Sequence, residues 1–360
     1  MNTFGKIFRL TTFGESHGPC IGGVLDGCPA GLQVDRSQVQ EMLRRRASQG
    51  GISTPRKEPD EVEFLSGLTS EYLTTGTPIA FTIRNANIKS GDYAPLKELF
   101  RPSHADYTYS AKYGLRISEG GGRSSARETV ARVVAGAIAS QFLREIGIEI
   151  CSYTSQVGDS DRVGYNDLVT LGDLEDSLVG CPIPETDRQM YGLLQRARQD
   201  GDTLGGSVTT IIRGVPPGWG EPLYDKLHAR LSYALLSINA ARGFEIGDGI
   251  DMASMRGSES NDPFTHRGGQ IRTKSNHSGG IQGGISNGET IRMRTYFKPI
   301  SSIAKPQETV DADGRTQTLT ISGRHDASVI PRVLPVCDAM AALTLADFAL
   351  LARFSKTAEE

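Results

Sequence analysis

Tryptophan occurs once, aromatic residues make up 7% of the chain, and the five cysteines are scattered and never in a C-x-x-C spacing. Neither a disulfide framework nor a zinc site is expected, so Cys20, Cys28, Cys151, Cys181 and Cys337 read as reduced, half-buried thiols, and no metal is assigned. Charge of one sign is equally scarce. Lys+Arg 39 against Asp+Glu 42 leaves a formal charge of -3, which speaks against a general nucleic-acid binder. No apolar run of about 18 residues stands out, and residues 1–6 lack the apolar core of a signal peptide, so no membrane partner is expected and a cytoplasmic location is. G-x-x-x-x-G-K-[ST] and G-x-G-x-x-G are both missing, which removes the common phosphate cradle of nucleotide kinases and the dinucleotide fingerprint.

Glycine, by contrast, is abundant. Its 42 occurrences in 360 residues, about 12% against an average of about 7%, follow no period of three and must sit in turns and loops. Strand-like runs at 8–12, 78–83, 208–213, 291–297 and 317–322 are spread over the whole length. Asp35-x-x-Gln38 and Ser125-x-x-Glu128 are capping boxes that predict helices over 39–46 and 126–146, with Gly147 ending the second. Leu223, Leu227, Leu231, Leu235 and Ile238 trace a third apolar stripe. Residues 335–354, apolar nearly all round, predict a helix packed inside the protein or against another subunit. Strands and helices alternate without a fixed βαβ spacing and no linker interrupts them, so a single α+β domain over 1–360 is expected.

The polar loops carry the chemistry. Gly14-Glu15-Ser16-His17-Gly18 sets an imidazole beside an acid and a hydroxyl, and Arg101-Pro102-Ser103-His104-Ala105-Asp106 sets a fixed cation beside another. In Glu119-Gly120-Gly121-Gly122-Arg123-Ser124-Ser125-Ala126-Arg127-Glu128-Thr129 a glycine loop runs into a capped helix, offering free amides, hydroxyls and two guanidinium groups to a phosphate or carboxylate. Asn239-Ala240-Ala241-Arg242, the small-residue loop 275–288, Lys298-Pro299-Ile300-Ser301-Ser302 and Gly323-Arg324-His325-Asp326 add backbone access, an ammonium, hydroxyls and a carboxylate. Arg44, Arg45 and Arg46, with Arg56, read equally well as surface charge compensating a helix end or as ligands. Together these loops predict a site for a small polyanion.

In order and over residues 4–350, these motifs resemble those of the chorismate synthase family. The resemblance implies a β-α-β sandwich of two antiparallel sheets flanked by helices, assembled as a homotetramer. It also implies a lyase that eliminates phosphate and a ring proton from 5-enolpyruvylshikimate 3-phosphate with the help of reduced FMN. By motif, His17 would be the general acid for phosphate departure, His104 would serve the reduced flavin, and Asp326 would take the substrate proton. Arg46, Arg101 and Arg127 would hold the anionic substrate. Arg123, Ser124, Ser125, Asn239, Ala240 and Gly283 would contact FMN, as would Lys298, Pro299, Ile300, Ser301, Ser302 and Arg324. Because no dinucleotide fingerprint is present, an external flavin reductase is expected in place of an intrinsic NADPH-dependent activity. Two departures from the family pattern stand out: Ala47-Ser48-Gln49-Gly50-Gly51 follows the arginine run where Pro-Gly and a further arginine are frequent, and Ala327 follows Asp326 where proline is frequent.

Overall fold

The computed structural model describes residues 1–47, 51–52, 60–86, 99–115, 121–321 and 326–355. Residues 48–50, Arg56, Glu119, Gly120 and residues 322–325, Arg324 included, lie outside them.

Among the described residues the first sheet comprises β1 (Thr3–Phe4), β2 (Arg9–Gly14), β3 (Cys20–Asp26), β4 (Val62–Phe64) and β5 (Ile79–Arg84), in the order β1-β2-β3-β5-β4 and antiparallel throughout. β2 alternates, with Leu10 and Thr12 buried and Arg9 and Thr11 exposed, as a sheet with one solvated face requires. The second sheet joins β6 (Glu149–Val157), β7 (Gly206–Arg213), β8 (Ala241–Ile246) and β13 (Ile291–Phe297) in the antiparallel order β6-β7-β13-β8. Its middle strands are buried on both faces, and buried hydroxyls of β7 pair with those of the neighbouring β6: Thr210 with Ser152 at 2.7 Å and Ser207 with Ser155 at 2.9 Å. Three two-stranded ribbons complete the strands: β9 (Phe264–Arg267) with β10 (Gln270–Thr273), β11 (Ile281–Gln282) with β12 (Ile285–Ser286), and β14 (Gln307–Val310) with β15 (Thr316–Leu319).

The helices are α1 (Arg36–Arg46), α2 (Asp106–Tyr113), α3 (Thr129–Glu145), α4 (Pro184–Gln199), α5 (Leu227–Leu236), the short α6 (Gly257–Ser260) and α7 (Leu334–Leu351). α3 packs on β2, β3 and β5, while α7 packs on β6 and β7 and on α1, α3 and α5. The expected sandwich of two antiparallel sheets is present, and α3 and α7 form its filling. Residues 334–354 are long and apolar enough to cross a bilayer, which corrects the sequence reading that no such run exists; 94% of its most apolar window is buried inside the protein. That burial also answers the choice left open for this helix, because its apolar surface is spent within the chain.

Several ends form as the sequence prescribes. Asp35 caps α1 by accepting from the amides of Ser37 and Gln38, and Gly147 leaves α3 at φ +79. Three details differ. Residues 126–128 form a separate 3-10 turn ahead of α3, capped by Ser125 Oγ at 3.3 Å from the Arg127 amide. The Glu128 carboxylate does not close the box: it accepts from Thr12 Oγ1 at 3.0 Å and from Arg132 Nε at 2.9 Å. Leu223 lies before α5 and is exposed. The two ends of the chain are tied together by the buried Asp347 of α7, whose carboxylate accepts from the amides of Lys6 at 2.8 Å, Ile7 at 2.7 Å and Phe8 at 3.0 Å.

Candidate active site

The connection between β2 and β3 carries His17. Gly14 opens it at φ +85, where a Cβ would collide with the Cys20 carbonyl oxygen, so only glycine fits. Ser16 Oγ sits 3.0 Å from His17 Nδ1 and fixes the ring. Asn85, just beyond β5, donates from Nδ2 to the carbonyl oxygens of Glu15 at 2.9 Å and Gly18 at 2.7 Å, and its Oδ1 accepts from Arg127 Nε at 3.1 Å. Arg127 in turn pairs with Asp60, and the other oxygen of Asp60 lies 3.4 Å from Arg46 Nη2. From the main-chain oxygen of Arg46 the path continues to Arg332 Nε at 3.0 Å, and Arg332 pairs with Asp326. One network of polar contacts thus joins the His17 loop, Arg127, Arg46 and Asp326, which are spread over more than 300 positions of sequence.

The arginine run divides in three. Arg44 pairs with Glu41 on the surface, Arg45 lies 3.5 Å from the buried Asp338 of α7, and Arg46 turns inward to Asp60. Burial pushes the Asp338 carboxyl up, with Arg45 opposing.

A second group forms around His104. Its Nδ1 faces the Pro102 carbonyl oxygen at 3.1 Å and its Nε2 lies 2.9 Å from Ser302 Oγ. A carbonyl can only accept, so the neutral ring carries its proton on Nδ1 and Nε2 accepts from Ser302. Burial first, and the nearby Arg101 second, hold the His104 pKa below the usual histidine range. Ser301 Oγ donates to the Ser103 carbonyl oxygen at 3.3 Å and meets the Lys298 ammonium, whose pKa burial lowers with help from Arg242. Thr203 holds the Ile300 carbonyl at 2.6 Å. Lys298 donates its amide to the carbonyl oxygen of Ala240, a residue at φ +68, and the Asn239 side chain donates to the Ser124 carbonyl oxygen, each at 2.9 Å. Pro299 and Ser125 fall in the same loops.

Arg123 reaches the strand that leads to His17: it donates to the Gly14 carbonyl oxygen at 3.1 Å and to Thr12 Oγ1 at 2.8 Å. It also lines a polar cleft of about 320 Å³ with Thr12, Glu128, Arg132, Ser237 and Asn239. A larger cleft of about 1110 Å³ opens elsewhere, between the last turn of α1 and the first residues of α7.

Three other expected ligands stand differently. Arg101 forms a two-point pair with Asp106, 2.8 Å from Nε and 2.7 Å from Nη2, and this pairing with Arg101 outweighs the burial that raises the Asp106 carboxyl, leaving it below its usual range. Gly283 turns the β11–β12 hairpin, and no hydrogen bond among the described residues ties it to either group. Arg324 is outside the described residues.

Sequence reasoning passed over Asp60, Asn85 and Arg332, none of which carries a spacing signal. The Ala327 amide donates to the Ile52 carbonyl oxygen at 3.1 Å, and its own carbonyl accepts from Leu204 at 2.9 Å. A proline could not make the first bond. The segment that departs from the family pattern after α1 is therefore fastened, at Ile52, to the other departure beside Asp326.

Comparison with known proteins agrees with this geometry. Residues 8–350 match the family model described as chorismate synthase. The chain is 54% identical over 352 residues to the chorismate synthase of Parabacteroides distasonis, covering 98% of both. It is 53% identical over 361 residues to that of Porphyromonas gingivalis, covering 99% of this chain and 98% of the relative. A crystal structure of a chorismate synthase superposes with a TM-score of 0.77 at 30% identity, covering 97% of this chain and 93% of the other. The chain belongs to the chorismate synthase family and is a lyase of the shikimate pathway.

Proposed function

We propose that the protein converts 5-enolpyruvylshikimate 3-phosphate to chorismate by 1,4-elimination of phosphate and a ring proton, and that it requires reduced FMN. The observation that carries this reading is the single network linking the His17 loop, two inward arginines and Asp326, which puts an acid, anion ligands and a base within one polar system.

The donor set suits a flavin mononucleotide: an ammonium, the hydroxyls of Ser301 and Ser302, the Asn239 amide and the turned backbone at Ala240. Lys298, Ser301 and Ser302 would hold it, with Arg123, Ser124 and Asn239 beside them. When bound, the reduced flavin lends electron density that lets phosphate leave before the hydrogen does.

In this reading Arg46 and Arg127 orient the anionic groups of the substrate, and fixed guanidinium groups do so at little cost in reorganisation. His17, steadied by Ser16, donates a proton to the departing phosphate. Asp326, steadied by Arg332, accepts the ring proton. His104 rests neutral, and negative charge arriving beside it raises its pKa, so binding of an anion there and protonation of His104 favour each other. Arg101 contributes to the same positive field from its place against Asp106.

A homotetramer supplied with reduced flavin by an external reductase completes the proposal. Exposed Leu168, Leu171, Leu178 and Ile183 offer apolar surface for association.

The test is anaerobic turnover with 5-enolpyruvylshikimate 3-phosphate and chemically reduced FMN, with oxidised FMN as control. Chorismate and phosphate are expected in equal amounts, with reduced flavin only. Product formed without flavin, or phosphate released without chorismate, refutes the reaction. Turnover with NADPH and oxidised FMN alone refutes the external reductase.

A further inference from the structure

Asp60 is 5% exposed, and its carboxylate lies between two cations that arrive from different directions: Arg127 from the 3-10 turn before α3 and Arg46 from the last turn of α1. Its main chain is held too, because its carbonyl oxygen accepts from Gln40 Nε2 of α1 at 3.0 Å. Arg127 is also held from the other side by Asn85 at 3.1 Å. A carboxylate so enclosed is a poor source of stability for its own sake, since desolvation cancels much of the attraction. Its effect falls on the two guanidinium groups. It sets their mutual distance, offsets their repulsion and lowers the positive charge that the pair presents.

We infer that Asp60 is a positioning residue, an internal counter-anion that keeps Arg46 and Arg127 converged and limits how tightly they hold an anion. The inference rests on the reading that these arginines face the substrate. Elimination turns a bound phosphate ester into free phosphate, and a pair of uncompensated buried arginines would retain that product. With Asp60 in place the pair attracts the substrate and still releases the product.

The experiment compares wild type with Asp60→Asn and Asp60→Glu. Inorganic phosphate is titrated calorimetrically, and kcat and KM are measured anaerobically with reduced FMN. Removing one negative charge from beside the anion is expected to tighten phosphate binding in Asp60→Asn by roughly tenfold or more while kcat falls. A purely structural role would lower the melting temperature and leave phosphate affinity where it was. Unchanged phosphate affinity, or unchanged kcat, overturns the inference. Should Asp60→Asn fail to fold, Asp60→Glu decides: it retains the charge but displaces it by one methylene, so near wild-type phosphate affinity with lowered kcat is expected, and wild-type kcat overturns the inference. The phosphate titration needs neither flavin nor turnover. Failure of wild type to make chorismate therefore refutes the reaction proposed above without touching what the titration says of Asp60.

Discussion

Replacing Gly136 by alanine tests the closest approach in the helical layer. Gly136 lies in α3 opposite Ala339 of α7, and a methyl group added there would overlap the Cα and Cβ of Ala339 and stand 2.9 Å from its carbonyl oxygen. In an exposed helix the same change would stabilise by about 1 kcal/mol, because alanine is the better helix former. Here the atoms met are backbone and Cβ, with no flexible tip that can swing aside, and overpacking of a close-packed core costs about 1 to 3 kcal/mol or more. The steric cost should take the upper end of that range, leaving a net destabilisation of about 2 kcal/mol. For a chain of this size that corresponds to a melting temperature lower by roughly 2 to 6 °C. Differential scanning calorimetry reads it directly. Ala339→Gly in the same background removes the obstructing methyl and should return part of the loss, since neighbouring substitutions are not additive. A Gly136→Ala protein that melts at or above the wild-type temperature would show that α3 and α7 do not cross so closely.

Asp347→Asn leaves three main-chain amides facing a side chain with one acceptor oxygen and a donor of its own; a loss of about 2 to 4 kcal/mol is expected in denaturant unfolding, and a loss below about 1 kcal/mol refutes the tie. Ala327→Pro removes the donor to Ile52, a loss that outweighs the stiffening of the unfolded chain, so the melting temperature should fall and kcat with it through poorer placement of Asp326; full kcat would count against that placement. His104 has its pKa lowered on folding, by burial and then Arg101. Its unfolded form therefore binds the proton more readily, and stability should be complete above about pH 6.5 and decline as pH falls below it through the folded pKa. Melting temperatures between pH 7.5 and 5.5 should show a shallower acid decline in His104→Gln than in wild type, and parallel curves would refute the assignment.

The sequence made the repeating parts legible. Runs rich in β-branched residues located β2, β5, β7 and β13, and the Asp35 cap located α1 to within a few residues. Where a side chain had two possible partners, pattern alone could not choose. Glu128 has the spacing of a capping box, yet it is buried beside Thr12 and Arg132, and those tertiary partners win over the local one. The arginine run is a similar case: successive helix residues project about 100° apart, so three adjacent arginines must face three environments, and only the fold says which is interior. The motif residues of the site were readable because glycines and histidines mark their loops. Asp60, Asn85 and Arg332 were not, because each acts through a contact with residues distant in sequence. Arg101 illustrates the reverse limit, since its motif is plain while its pairing with Asp106 is visible only in three dimensions.

The tie between Asp347 and the amides of residues 6–8 spans 341 positions and sets an order of events during synthesis. At about 5 to 20 residues per second, a ribosome that has just exposed the first hairpin needs tens of seconds more before the carboxylate that fastens it emerges. α7 arrives in the same late interval, and until it does the faces of α3 and of the second sheet that pack on it stay uncovered. The nascent chain must therefore wait with those apolar surfaces uncovered, and its dependence on chaperones should be greatest just before α7 emerges.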